Sequence, residues 1–506
     1  MTNKALQDKY PHLEVSSLKL SEPKKDNEKN RLDAEFFSKD FINAYQKVQS
    51  MEHIYLKECL EILTDYHANG SYEILNENVK MQDEKDYAYM IRSTDLEKMD
   101  FENDVKYISE YAYNFLTKTK VFGGEVLINK IGSPGTTYIV PNLNIPISLG
   151  MNLFMIRTNE KTLRNTFLYI FLNTKLGKLI ISRKINGEVP QTIDKEAIKT
   201  LPIPLLPMSF QLEIEKLVKD SNTALESSKA LYKEAEALLY EALGLDSKNP
   251  LQSILHSNCE SLPYRSKQNE NFLNTESNQS PNYTIATLKE SFIKTGRLDA
   301  EYYQAKYEKN EALLKNYKYG FCKLKDLIQR QSSGFAFSSD EYMDCSDLVL
   351  IRINNIKNAT LDMSNAVYLK NEAQNLSPKD KVYKGDILIS MSGSIGISCV
   401  VRDDVNAMLN QRIYKIAIRG FSPDVLVVFL NSVCAKLQFE RIGTGGVQTN
   451  ISSSDIQNLL IPLLDSTSQE RIENKIRQSF ALRAKSKKLL RIAKQRVEEA
   501  IVSKKI

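Results

Sequence analysis

Residues 31–37 read RLDAEFF, and residues 297–303 read RLDAEYY. Upstream of each, Leu18-Lys19 returns as Leu288-Lys289. Downstream, GEVLINKIGSPG at 124–135 returns as GDILISMSGSIG at 385–396, which keeps a turn glycine, an acidic residue, three aliphatics and a closing Ser-x-Gly. Ile91-Arg92 recurs as Ile351-Arg352, LPIPLL from Leu201 as LLIPLL from Leu459, and Gln211 as Gln469. Matches that keep one order predict an architecture written twice. The offset between copies shrinks along the chain, so variable segments of unequal length lie between the matched ends.

Just beyond Ile203-Pro204 and Ile461-Pro462, after Pro207 and Pro462, each half runs for about forty residues without proline, as a long helix requires. Ile214, Ser221, Ser228, Ala235 and Ala242 are spaced by heptads, and Ile472, Ser479, Ser486, Ala493 and Ala500 repeat the same residue types in the same order. A second row, Val218, Leu225, Tyr232 and Leu239, is answered by Ile476, Arg483, Leu490 and Val497, with Arg483 as the exception. Paired rows of this kind form a coiled-coil seam, and small Ser and Ala in one row let two helix axes approach. Residues 206–243 hold four basic and seven acidic side chains, whereas 470–506 hold twelve and four. Such runs on a single helix are ordinarily solvated faces. The shared register and opposite charge predict that these two helices pack on each other.

Between the matched ends, β-branched and aromatic runs such as NLFMIRT, LVLIRINNI and QRIYKIAI predict short strands, and the apolar segments 166–181 and 423–437 predict packing helices. The fold class expected is α+β, with two copies of one globular domain. Polar residues suited to phosphate oxygens cluster in the glycine turns: Asn129, Lys130, Ser133 and Thr136 in the first copy, and Ser390, Ser392 and Ser394 in the second. An ordinary β-turn uses the same residues for their conformation alone. Base reading requires forked side chains, because Arg grips guanine, and Asn or Gln grips adenine, through two hydrogen bonds. Candidates are Arg92, Arg157, Arg183, Lys184 and Gln191 in the first copy, and Arg352, Asn354, Asn355, Gln411, Arg412, Arg441 and Gln448 in the second. Most surface Arg and Gln are simply solvated, so the clusters carry more weight than their members.

Composition sets the outer limits. A chain of 506 residues with 42% hydrophobic content exceeds one ordinary domain, and its net charge of +5 permits a polyanionic partner without requiring one. The six cysteines form no CxxC pair and no close cluster with the four histidines, so no zinc site is expected. No apolar run reaches the length of a membrane span, and the reading is of a reduced, soluble, cytoplasmic protein. There is no Pro-Pro for the turn with which an adenine methyltransferase holds a flipped base, and no GxxxxGK[ST] to cradle nucleotide phosphates. No acidic-plus-lysine nuclease arrangement or activated Ser or Cys is evident. The chain is expected to have no catalytic residues.

An RLDAE-type start, a variable region with a glycine turn, Ile-Pro, a long helix, a linker, and then the same series again resembles the specificity subunit of a Type I restriction-modification system. The resemblance implies two target recognition domains, at 13–205 and 283–463, a central helix at 206–243, a linker at 244–282 and a C-terminal helix at 464–506, with the helices packed as an antiparallel coiled coil. It implies that each domain reads one half of a bipartite site in double-stranded DNA while the helices set the spacer between the halves. It further implies two modification subunits that methylate adenine with S-adenosylmethionine, and restriction subunits that hydrolyse ATP with Mg; those cofactors belong to the partners and none to this chain. The competing classes are a non-catalytic interaction scaffold and the recognition part of an enzyme whose modification domain shares the chain. About thirty residues precede the first RLDAE in this sequence, so no catalytic domain is expected there.

Overall fold

The structure is a computed structural model, and it describes residues 7–11, 27, 30–99, 101–102, 104–187, 190–256, 287–293, 295–443 and 449–503. The chain divides into two compact units, Met1–Leu225 with Arg483–Ile506, and Glu226–Leu482. Both mix helices with short strands. The division falls within each of the two long helices, Met208–Ala242 and Ser466–Ser503.

In the first unit, an antiparallel sheet runs in the order Leu60–Asp65, Leu153–Thr158, Val126–Asn129, Thr137–Ile139. Side chains alternate across a strand, and here both faces are covered. Val126, Ile128, Phe154 and Ile156 pack with the helices Lys39–Gln49, Asn165–Leu172 and Lys175–Ser182. Leu127, Leu153 and Met155 point the other way, toward Tyr89, Ile91, Ile147 and Leu149 of a second sheet. That second sheet pairs Ala88–Ile91 with Ile147–Leu149 in parallel, and Tyr107–Ile108 and Lys120–Val121 form its edges. Burial on both faces accounts for unbroken apolar strands such as VLI. The segment expected to form one helix over 166–181 forms two, because Thr174 accepts a hydrogen bond from Gly177 N at 3.0 Å and starts a new turn. A Cβ on Gly177 would lie 2.1 Å from the Phe171 carbonyl oxygen, so the close crossing needs glycine.

The second unit has a sheet in the order Ile328–Ser332, Ile413–Ile418, Ile387–Ser390, Ser398–Val400, again antiparallel. Ile387, Ile389, Tyr414 and Ile416 pack with the helices Pro423–Asn431 and Val433–Ile442, and Leu388 and Ile413 face a separate core. Here too one expected helix is two, broken at Ser432. A second sheet pairs Leu348–Ile351 with Ala407–Leu409 in parallel. A short antiparallel pair holds each Ile-Pro segment: His53–Tyr55 with Pro202–Pro204, and Phe321–Lys323 with Leu460–Pro462.

The repeated residues of the sequence have concrete tasks. Arg31 bonds both oxygens of Asp33 and also donates to the carbonyls of Arg183 and Ile185, just beyond the helix Lys175–Ser182. Arg297 likewise grips Asp299 and the carbonyls of Arg441 and Gly443 at the end of Val433–Ile442. RLDAE is thus a cap on carbonyls that the helix leaves unpaired, and guanidinium supplies the fork that the cap needs. Gln211 accepts from Arg164 N and donates to Leu206 O, and Gln469 accepts from Ser422 N and donates to Leu464 O.

Within the first unit, Ser221 Oγ lies 2.9 Å from Ser486 Oγ and 3.0 Å from Ser486 O. Within the second, Ser228 and Ser479 Oγ are 3.0 Å apart, and Ser479 donates to Ser228 O. Ile214 and Ala493 share one core cluster, and Ala235 and Ile472 another. Antiparallel segments of the two long helices therefore pack in each unit, with small residues at the contact. No described helix is long and apolar enough to cross a membrane.

Candidate nucleic-acid interface

Three backbone segments meet at one end of the first sheet in each unit, and they are held by the same bonds. The glycine turn closes on itself through Gly135 N to Asn129 O at 3.0 Å, and Gly396 N to Ser390 O at 2.9 Å. Its closing glycine has φ of 81° in the first unit and 80° in the second. A Cβ at Gly396 would lie 2.3 Å from the Phe439 ring, so both conformation and space demand glycine. The second segment is a three-residue turn, 150–152 or 410–412, leading from the parallel strand into the antiparallel sheet. Lys130 N donates to Asn152 O at 2.8 Å, and Met391 N to Arg412 O at 3.0 Å. The third segment follows the packing helices. Ile131 pairs with Thr192, and Ile193 N donates to Lys130 O at 3.1 Å. Ser392 pairs with Asn450, and Ile451 N donates to Met391 O at 3.0 Å.

The candidate side chains fall into three settings. Ser133, Thr136, Gln191, Asn354, Ser394, Gln411 and Arg412 are exposed, and all except Asn354 lie on the three segments. Asn129, Arg183, Lys184, Asn355, Ser390 and Ser392 are buried. Arg183 donates to Phe36 O and stacks on the Phe36 and Tyr45 rings at 4.3 and 4.4 Å, and Lys184 lies over Tyr45. Asn355 caps a short helix by accepting from Arg352 N, and Ser390 bonds Ser394 O and Ile397 N inside the glycine turn. The remaining cations are held by carboxylates or carbonyls. Arg92 binds Asp95, Arg157 binds Glu125 and stacks on Phe122, Arg441 binds Glu311 and Tyr302 O, and Arg352 reaches Asn365 O. Lys130 is paired with Asp65 at 2.6 Å. Gln448 lies outside the described residues.

Asp65 anchors the first unit's surface from below. Burial raises its carboxyl, but hydrogen bonds from Lys130 and Lys195 outweigh that and hold it below the ordinary carboxylate value. In the second unit one buried carboxylate is Asp386, bonded by Arg330 at 2.7 Å, with Lys415 at 4.0 Å. Burial lowers the pKa of Lys415, whose ammonium donates to the carbonyls of Lys379 and Lys381. Glu125 and Asp386 occupy matching places in the two glycine motifs, yet their arginine partners come from different strands, Arg157 from Leu153–Thr158 and Arg330 from Ile328–Ser332. Among the described residues, no three His, Cys, Asp or Glu side chains are grouped to hold a metal.

What the arrangement offers is a polar surface of turn amides and hydroxyls, with Arg and Gln at its margin. A family profile, the Type I restriction modification DNA specificity domain, matches residues 316–490. Residues 316–490 are thus similar to a Type I restriction modification DNA specificity domain. The chain is also similar to the Type I restriction enzyme EcoBI specificity subunit of Escherichia coli, 25% identical over 134 residues, a match that spans 26% of this chain and 28% of that relative. Among solved structures, it is similar to the Type I restriction-modification system S subunit from M. genitalium, at 12% identity and a TM-score of 0.35, covering 87% of this chain and 95% of the other. It is likewise similar to the HsdS subunit from Thermoanaerobacter tengcongensis, at 12% identity and a TM-score of 0.26, covering 89% and 96%. The residues matched by that family model contain every part of the second three-segment surface: the glycine turn, the turn at 410–412 and residues 449–451 all fall inside 316–490.

Proposed function

We propose that this chain is the sequence-reading, non-catalytic subunit of a Type I restriction-modification complex, and that each unit reads one half of a bipartite site in double-stranded DNA. The observation that carries the reading is the three-segment surface, built by the same backbone bonds in both units and lying, in the second, within the specificity domain. Amides and hydroxyls on the turns suit phosphate oxygens, and the exposed Arg and Gln beside them suit base edges. In this reading the two halves are copies of one recognition domain, and the packed long helices form an antiparallel coiled coil that sets the spacer. Two modification subunits bring S-adenosylmethionine and methylate adenine; restriction subunits bring ATP and Mg; the complex works in the cytoplasm.

The test is selection from a random duplex library by the full chain, at two salt concentrations. Two conserved half-sites around a fixed spacer, with affinity falling as salt rises, is the result expected. Exchange of residues 50–200 for the same region of a relative should then change one half-site and leave the other. Failure of any sequence to be enriched would overturn the reading, and a change of both half-sites together would overturn independent reading.

A further inference from the structure

The three-residue turns carry the same backbone and different side chains. In both units the third residue is left-handed without being glycine: Asn152 at φ 65° and Arg412 at φ 70°. Asparagine tolerates that region, because its short polar side chain bonds locally. Arginine has no such compensation and sits there against a steric penalty. A strained residue held at the same point of a repeated scaffold is the kind of feature that persists for function.

Its surroundings fit that view. Both side chains are exposed. The backbone carbonyl of each is bonded to the glycine turn, at Lys130 N and Met391 N, which fixes the Cα position to within a hydrogen bond. Arg412 Nη1 donates to Asn450 Oδ1 at 2.7 Å, so the third segment steers the fork. A guanidinium with one nitrogen tethered loses less freedom on binding than a free one. The turn also differs in chemistry between the two copies: Gly150, Met151 and Asn152 against Asn410, Gln411 and Arg412. Constant geometry with a variable side chain is what a specificity position requires.

We propose that position 152 of the first unit and position 412 of the second are matched base-reading positions, Arg412 selecting guanine through O6 and N7, and Asn152 selecting adenine through N6 and N7. The proposal rests on the reading of the chain as a DNA-recognition subunit, and it adds which residue discriminates in each half.

The experiment compares the full chain with Arg412→Gly, Asn152→Gly and Arg412→Lys in the same duplex selection, with thermal melting of each. Glycine adopts a positive φ without strain, so the two glycine variants should melt no lower than the parent. Arg412→Gly should lose a guanine preference on the order of tenfold at one position of one half-site, with the other half-site unchanged. Asn152→Gly should lose an adenine preference at one position of the opposite half-site. Arg412→Lys can still donate to guanine O6 and N7 but lacks the planar fork, and should keep only part of the guanine preference. A parent that enriches a bipartite site, with glycine variants that enrich it equally, would overturn this inference and leave the recognition reading standing. A parent that enriches nothing would overturn the recognition reading itself.

Discussion

Asp65 holds two lysines beneath the first unit's glycine turn, and its lowered pKa sets a pH signature. A carboxylate with a folded pKa below its unfolded value stabilises the fold at pH above the ordinary carboxylate range, and that stability is lost as pH falls through the lowered value. Asp65→Asn should therefore destabilise the first unit by about 1–3 kcal/mol at pH 7. The difference from the parent should shrink below about pH 4, in urea melts followed across pH. A gap that stays constant from pH 7 to pH 3 would show that the ion pairs contribute nothing. Arg297 carries a second residue-scale prediction. Its fork spans Asp299 and two carbonyls, so Arg297→Ala should cost the second unit about 1.5–3 kcal/mol, and Arg297→Lys should recover little of it. Full recovery by lysine would reduce the RLDAE arginine to a charge. At this scale the sequence was only partly legible. The value of Arg31, Arg297, Gln211 and Gln469 was visible as repetition, although repetition does not say what is bonded. Arg183 and Lys184 look like surface cations in a string of letters, yet Phe36 and Tyr45, which enclose them, lie far upstream in the chain. Asn152 carried no mark at all, since a left-handed backbone is legible in a sequence chiefly where glycine signals it.

The long helices were the most legible elements, because heptad spacing is a local property of sequence and helix packing follows it. Ser221 and Ser486 are buried against each other, as are Ser228 and Ser479, and the hydroxyls bond across each pair. Ser221→Leu should force the axes apart and cost about 1–3 kcal/mol by overpacking, whereas Ser221→Ala should cost only about 0.5–1.5 kcal/mol for the lost hydrogen bonds. Equal stability of the leucine variant and the parent in a denaturant titration would mean that the axes are not held close. The shorter helices were legible in position but not in number. The runs at 166–181 and 423–437 read as one apolar helix each, while the structure divides them at Asn173 and Ser432. The break between Asn165–Leu172 and Lys175–Ser182 depends on Thr174 as a cap and Gly177 as a close contact, and neither stands out within an apolar run. The strands were legible as apolar runs, but which strand lies beside which was not, because pairing joins residues as distant as Leu60 and Thr158.

At the scale of the whole molecule, the first unit is discontinuous in sequence: it takes Met1–Leu225 and then Arg483–Ile506, with Glu226–Leu482 between. Ala493, Val497, Ala500 and Ile501 are buried in the same core as Ile214, Val218 and the packing helices of the first sheet. A chain ended after Leu482 should therefore lose cooperative melting of the first unit and keep that of the second, read by hydrogen exchange resolved along the sequence. Unchanged protection of residues 60–200 in that truncation would show that the last helical segment is dispensable to the first core. The consequence reaches into synthesis. A ribosome adding about 5–20 residues per second needs roughly tens of seconds to cross the intervening stretch, and during that time the first unit's apolar surface around Ile214 and Val218 lacks Ala493, Val497, Ala500 and Ile501. The second unit, whose core needs nothing beyond Leu482, can close first, so the order of maturation reverses the order of the sequence. Nascent first-unit core is the part of this protein that chaperones would have to shelter, and slow codons placed beyond position 225 should prolong its exposure and lower the yield of folded chain.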